Sequence, residues 1–167
     1  MLKTVGSLPT VKEESGGTNM NANSDNPRVG REFQERVCMI MQQYWGKNFE
    51  LEVALPIGSP PKKHRFDCVS KDRSIVVECK CYTWTDSGNV PSAKLMGMNE
   101  AIFYISYLPA NVKKILCIKK AVHPKKEETL AEYYFRMNRH LLGNIVVAEF
   151  NPETETMRIV GCNKTGI

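Results

Sequence analysis

The sequence lacks any long uninterrupted run of apolar residues, and its mean hydropathy is −0.35. A helix that spans a bilayer needs about 20 consecutive, mostly apolar residues. The first residues also lack the apolar centre of a signal peptide. We therefore expect a cytoplasmic protein that has no membrane segment.

The chain also lacks the paired cysteine and histidine motifs that bind zinc. It has 6 cysteines but no CxxC pair, and its 3 histidines are widely spaced. Cys68, Cys79 and Cys117 lie in apolar stretches, which favours buried, reduced thiols over a disulfide or zinc framework. A redox or zinc protein is thus the least favoured of the functions that the sequence suggests.

Composition and charge limit the remaining classes of protein. With 167 residues, 42% of them apolar, the chain can build one ordinary hydrophobic core. Residues 1–26 are rich in Ser, Gly, Asn and Thr and predict a flexible N-terminal tail, so residues 27–167 form the single domain. A net charge of +5 suits a polyanionic partner.

Hydrophobic periodicity predicts three helices, at about residues 27–44, 92–108 and 126–142, the first capped by Asp25 or Asn26. The apolar residues expected to face the core are Phe33, Val37, Ile40, Met41 and Tyr44, then Leu95, Met98, Ile102 and Ile105, then Leu130, Tyr134, Met137 and Leu141. Strands are predicted at 49–57, in a hairpin within 64–82, and at 114–121, 145–150 and 156–161. This order predicts an α/β fold with a mixed β-sheet flanked by helices.

The predicted hairpin contains the candidate catalytic residues. Strand side chains alternate between faces, so Glu78 and Lys80 share one face, while Asp67 lies on the corresponding face of the preceding strand. The same alternation places Phe66 and Cys68 together on the opposite face. The apolar set of the second strand, expected in the core, is Ile75, Val77, Cys79 and Cys81.

Two hairpin registers bring the acids together. One sets Asp67 diagonal to Glu78, and the other, with Lys71 opposite Ser74, sets them directly across from each other. Either register separates the two Cβ atoms by about 4.5–8 Å. Carboxylates this close repel each other unless a cation lies between them, and such oxygen ligands suit Mg²⁺ or Mn²⁺. The sequence thus predicts a metal site beside Lys80.

Asp67 is followed by the run Glu78-Cys79-Lys80, and a predicted helix lies before and after these residues. This arrangement resembles the motif of the PD-(D/E)XK nuclease superfamily. The likeness covers roughly residues 27–121 and implies an αβββαβ restriction endonuclease-like core. It also implies Mg²⁺-dependent hydrolysis of nucleic-acid phosphodiesters, for which we take DNA as the substrate of an endonuclease.

The resemblance also implies roles for single residues. Asp67 and Glu78 would bind the metal together with the backbone carbonyl of Cys79, and Lys80 would orient the attacking water. Phe66 stands where the superfamily motif has proline. Many members of the superfamily carry an acidic residue on the first helix. In this sequence the spacing places Gln34 at that position, and its uncharged side chain is a further candidate metal ligand. We therefore expect one principal metal.

Candidate nucleic-acid contacts are Lys62 and Lys63, in a basic loop before the hairpin, and Lys94 beside the N-terminus of the second helix. All three could equally be solvated surface charges. The chain is too short for a separate recognition domain, so specificity would come from loops, from a homodimer or from a partner subunit.

Two other interpretations stay open. The hairpin could be a solvated surface on which Arg65 pairs with Glu78 across the strands, since such charged pairs are common. Alternatively the chain could be a catalytically inactive nucleic-acid-binding module of the same fold, which the neutral Gln34 favours.

Overall fold

The computed structural model describes residues 27–163, and its elements follow the order that the sequence predicts. The helices are α1 (Pro27–Trp45), α2 (Ser92–Ser106) and α3 (Leu130–Asn138), the last continued by a short 3-10 turn (Arg139–Leu141). The strands are β1 (Phe49–Ile57), β2 (Lys62–Ser70), β3 (Ile75–Lys80), β4 (Lys113–Lys119), β5 (Val146–Asn151) and β6 (Thr156–Gly161). The predicted tail at 1–26, with its Asp25 or Asn26 cap, lies outside the described residues.

The six strands form one sheet in which the spatial order follows the chain order. β1, β2 and β3 are antiparallel neighbours, β3, β4 and β5 are parallel, and β6 returns antiparallel to β5. Helices α2 and α3 make the two crossovers that parallel neighbours require. The chain therefore has an α/β fold with a mixed sheet, as predicted.

Both faces of the sheet are buried. Helix α1 covers one face through Phe33, Val37 and Met41, against a cluster that includes Cys68 and Cys79. The opposite cluster is larger and packs α2 and α3 onto the sheet; its members include Phe66, Val69, Val76, Met98, Ile105, Leu116 and Tyr134. The predicted acidic face of the hairpin therefore lies towards the α2 side.

Three residues predicted to face the core are exposed instead: Tyr44, Met137 and Leu141. Helix α3 is also shorter than predicted, because Thr129 caps it late. The Thr129 hydroxyl accepts the Glu132 N–H while the Glu132 carboxylate accepts the Thr129 N–H. The helix then gives way to the 3-10 turn, which rotates Leu141 away from the helical stripe.

All 6 cysteines are free thiols in the structure, five of them buried, which agrees with the prediction of reduced thiols. Within residues 27–163, no helix is both long and apolar enough to span a membrane.

Candidate metal centre

The register of the hairpin sets the two acids opposite each other. Cys68 pairs with Val77 and Val69 with Val76. If this register continues by one residue, Asp67 lies directly across from Glu78. This is the second of the two registers that the sequence allows. A turn fixes it, in which the Asp72 carboxylate accepts hydrogen bonds from the Ser74 backbone and hydroxyl.

The side chain of Asp67 joins three parts of the fold. Its Oδ2 accepts the backbone N–H of Cys79 at 2.7 Å, and its Oδ1 accepts the side-chain amide of Gln34 on α1, also at 2.7 Å. The carboxylate thus satisfies the Cys79 N–H, which would otherwise need a partner in the strand ladder. Gln34 is the residue that sequence spacing assigned to the acidic position on the first helix, and the structure brings its side chain to Asp67.

The predicted alternation of side chains between the two faces of β2 is interrupted beside Asp67. Phe66 packs in the α2-side cluster and Cys68 in the α1-side cluster, although a regular strand would place both on one face. The described β2–β3 pairing stops at Cys68, and beyond it the Asp67 carboxylate bonds to the partner strand. This local irregularity explains why the prediction that Phe66 and Cys68 share a face is wrong.

Among residues 27–163, no cation lies at hydrogen-bonding distance from the buried Glu78. The residue is only 5% exposed, and its Oε1 has no hydrogen-bond partner in this part of the chain. Burial, followed by the negative charge of Asp67, raises the pKa of Glu78 to about 9, although Lys80 acts in the opposite direction. At neutral pH the isolated protein therefore holds Glu78 protonated.

The two neighbouring bases do not neutralise Glu78. His64 Nε2 lies 3.7 Å from Glu78 Oε1, but burial lowers the pKa of His64, so its imidazole is neutral at neutral pH. Arg65 pairs with Glu52 of β1 at 3.7 Å. The alternative in which Arg65 pairs with Glu78 on a solvated hairpin is therefore wrong.

These side chains line a cavity of about 250 Å³ between the hairpin and α2. Its walls are His64, Arg65, Asp67, Glu78, Lys80, Glu100, Ala101 and Tyr104. The structure thus brings together the three predicted catalytic residues. It adds Glu100 and Tyr104 of α2, which no local sequence pattern singled out because only tertiary packing brings that helix to the hairpin.

The donor chemistry of this cavity fits a divalent cation, with two carboxylates as the ligands. Within residues 27–163, no three His, Cys, Asp or Glu side chains converge to hold a metal. However, the unpartnered Glu78 oxygen is the kind of buried acceptor that a cation would satisfy, and Asp67 lies across from it. Gln34 donates to Asp67 and in this geometry orients the acid. The Cys79 carbonyl stays a predicted ligand.

The predicted nucleic-acid contacts separate into two groups. Lys62 and Lys63 are exposed on β2 and line a second, larger depression, which shares His64 and Tyr104 with the acidic cavity. Lys94 lies in the first turn of α2 and is not among the residues that line the cavity.

Comparisons with protein-family models, with curated proteins and with solved structures found no match to this chain.

Proposed function

We propose that this protein is a metal-dependent DNA endonuclease with a PD-(D/E)XK, restriction endonuclease-like core and Mg²⁺ or Mn²⁺ as its cofactor. The α1–β1–β2–β3–α2–β4 segment agrees with the element order of that core. The observation that carries the proposal is the buried, unpartnered oxygen of Glu78, across from Asp67 and in the same cavity as Lys80.

Each residue has a role that follows from its surroundings. Asp67 is held by Gln34 and by the Cys79 N–H, so its carboxylate is oriented before any ligand binds. Asp67 and Glu78 would hold the cation, and Glu78 would have to lose its proton to do so. A bound Mg²⁺ would supply Lewis-acid polarisation of a phosphoryl oxygen and a lower pKa for a bound water. Lys80 would orient the attacking water and stabilise charge that develops on the phosphate.

Plasmid cleavage tests the proposal directly. Purified protein is incubated with plasmid and with single-stranded DNA in Mg²⁺ or Mn²⁺, beside Asp67→Asn and Lys80→Met. We expect each substitution to reduce cleavage by about 10²-fold or more. The matched control is Lys71→Met, which changes an exposed lysine in the turn of the same hairpin and should retain activity. Equal cleavage by all four proteins would contradict the assignment.

The second candidate is a catalytically inactive nucleic-acid-binding module. It is favoured by Asp67, both of whose oxygens already accept hydrogen bonds from protein groups. Calorimetric titration with Mg²⁺ in buffers of different ionisation enthalpy separates the two. A metal centre releases the Glu78 proton on binding, whereas the inactive module shows no Mg²⁺ binding and a salt-sensitive DNA affinity without cleavage.

Three further predictions accompany the proposal. A homodimer would let two sites cut two strands, and a mass measurement in solution tests it. A partner subunit that supplies specificity is a separate prediction. The cytoplasmic location is likewise a prediction from the sequence.

A further inference from the structure

A second depression of about 430 Å³ adjoins the acidic cavity and differs from it in chemistry. We call it the aromatic groove; it is lined by Ile57, Gly58, Ser59, Pro60, Lys62, Lys63, His64, Phe103, Tyr104 and Tyr107. It contains no carboxylate, while its two lysines are exposed. The groove is therefore positively charged, whereas the cavity combines the acids Asp67, Glu78 and Glu100 with Arg65 and Lys80.

The aromatic rings of the groove are unusually open to solvent. Phe103 is 57% exposed and Tyr107 is 52% exposed, one helical turn apart at the end of α2. Their ring centroids lie 5.2 Å apart at 76°, so each ring keeps a face that its neighbour does not cover. Exposed apolar side chains that lie together on a surface are typical of interaction sites.

The groove adjoins the acidic cavity. His64 and Tyr104 line both, with their rings stacked at a centroid distance of 4.2 Å and an interplanar angle of 22°. A chain lying along the groove, against Lys62 and Lys63, would therefore lie beside the cavity that contains Asp67 and Glu78. The groove thus offers aromatic faces and cations next to the acids.

Unpaired bases match this combination better than duplex DNA does. In a duplex the base faces are covered by neighbouring bases, so exposed rings find nothing on which to stack. A single strand presents those faces, and aromatic rings beside cations are the usual means of holding it. Two lysines at the groove would contact the phosphates that link such bases.

We propose that the aromatic groove binds single-stranded DNA, with bases stacked on Phe103 and Tyr107 and phosphates held by Lys62 and Lys63. This inference rests on the proposed function, because it names the unpaired DNA segment that is presented to the carboxylates. The substrate class is accordingly DNA with a single-stranded stretch or end next to the cleaved bond.

Fluorescence anisotropy in EDTA tests the groove without any cleavage. The probes are a labelled oligo(dT) of about 15 nucleotides and the same strand annealed to oligo(dA). We expect the single strand to bind at least about tenfold more tightly, and Phe103→Ala or Tyr107→Ala each to weaken that binding about tenfold. Lys62→Ala and Lys63→Ala should each reduce the slope of log affinity against log salt by about 0.7.

Two further variants distinguish stacking on a π face from burial of apolar surface. Phe103→Leu retains an apolar side chain without a π face and should bind as weakly as Phe103→Ala, whereas Phe103→Trp should bind like the wild type. Met96→Ala is the matched control, because Met96 lies on the same helix, is 70% exposed and does not line the groove. It should leave binding unchanged.

Several outcomes would overturn the groove proposal. The first is equal affinity for the duplex and the single strand, and the second is wild-type affinity in Phe103→Leu. The third is a dimer that forms at assay concentrations and that Phe103→Ala dissociates. That result would make the surface a contact between copies of the chain. The two proposals fail separately. Single-strand binding with these variant effects, but no cleavage in Mg²⁺ or Mn²⁺, would overturn the endonuclease and leave the groove in place.

Discussion

Two buried glutamates on the same sheet show how differently one side chain can be used. Glu149 on β5 is 2% exposed, and its Oε1 accepts a hydrogen bond of 2.7 Å from the guanidinium of Arg158 on β6. Glu78 on β3 is 5% exposed and has no cation at that distance. Each has one oxygen without a hydrogen-bond partner, so the difference between them is the permanent cation.

This difference separates a structural acid from a candidate functional one. A buried carboxylate needs a counter-charge or a proton, and the protein supplies Glu149 with Arg158. Within residues 27–163, Glu78 has a raised pKa, the opposing Asp67 and the charge of Lys80 nearby, but no arginine or lysine at hydrogen-bonding distance. Burial alone therefore does not indicate function; the candidate metal ligand that we propose is the buried acid that lies across from a second acid and has no such ion pair.

The largest expected effect concerns pH and Glu78. Its pKa rises from 4.5 in the unfolded chain to about 9 in the folded protein, so only the folded state keeps the proton between these values. The free energy of unfolding should consequently fall with rising pH, by up to about 1.4 kcal/mol per unit, in EDTA. Glu78→Gln removes this slope, as chemical denaturation at a series of pH values would show.

The control for this experiment is Glu149→Gln, which keeps Glu78 and therefore keeps the slope. Excess Mg²⁺ should flatten the wild-type profile, because a bound cation stabilises the ionised form of Glu78. Identical profiles for the wild type and Glu78→Gln in EDTA would contradict a buried, protonated Glu78.

A smaller effect should follow from removing the counter-ion of Glu149. We expect Arg158→Met to reduce the free energy of unfolding by about 2 kcal/mol, below the range for fully buried pairs because Arg158 is 49% exposed. Urea denaturation at neutral pH measures this loss. The double variant with Glu149→Gln should recover much of this loss. Arg158 also donates to Glu132 at 2.8 Å, so a loss that the double variant fails to reduce would show that Arg158 stabilises the fold through contacts other than Glu149.

The smallest effect should come from Gln34, which orients Asp67 without adding charge. Gln34→Ala should lower DNA cleavage about threefold to tenfold, since the lost neutral hydrogen bond contributes about 1 kcal/mol. Steady-state cleavage rates measure the change, with exposed Arg31→Ala on the same helix as the control. A loss as large as that of Asp67→Asn would instead make Gln34 a direct participant.

Local patterns predicted some parts of the molecule well and others poorly. β1 occupies the predicted 49–57, because its extended, turn-bounded pattern is local. Leu141 was predicted to face inward, but α3 ends at Asn138 and Leu141 lies in the 3-10 turn, outside the helical stripe. Met137 lies within α3 and is exposed all the same. Glu100 was not predicted, since nothing within α2 distinguishes it from any other exposed acid.

The sequence by itself determined the element order, the hairpin and the placement of Asp67 and Glu78 on one face, because alternation depends on neighbouring residues. It left two registers open, and the structure has the one that sets the two acids directly across from each other. Tertiary structure alone decided that α2 would cover the acids, bury Glu78 and bring Glu100 beside it. It also decided that Glu78, unlike Glu149, would have no arginine or lysine at hydrogen-bonding distance within residues 27–163. The physical reason is that burial and counter-ions depend on residues distant in the chain, whose approach no local pattern records.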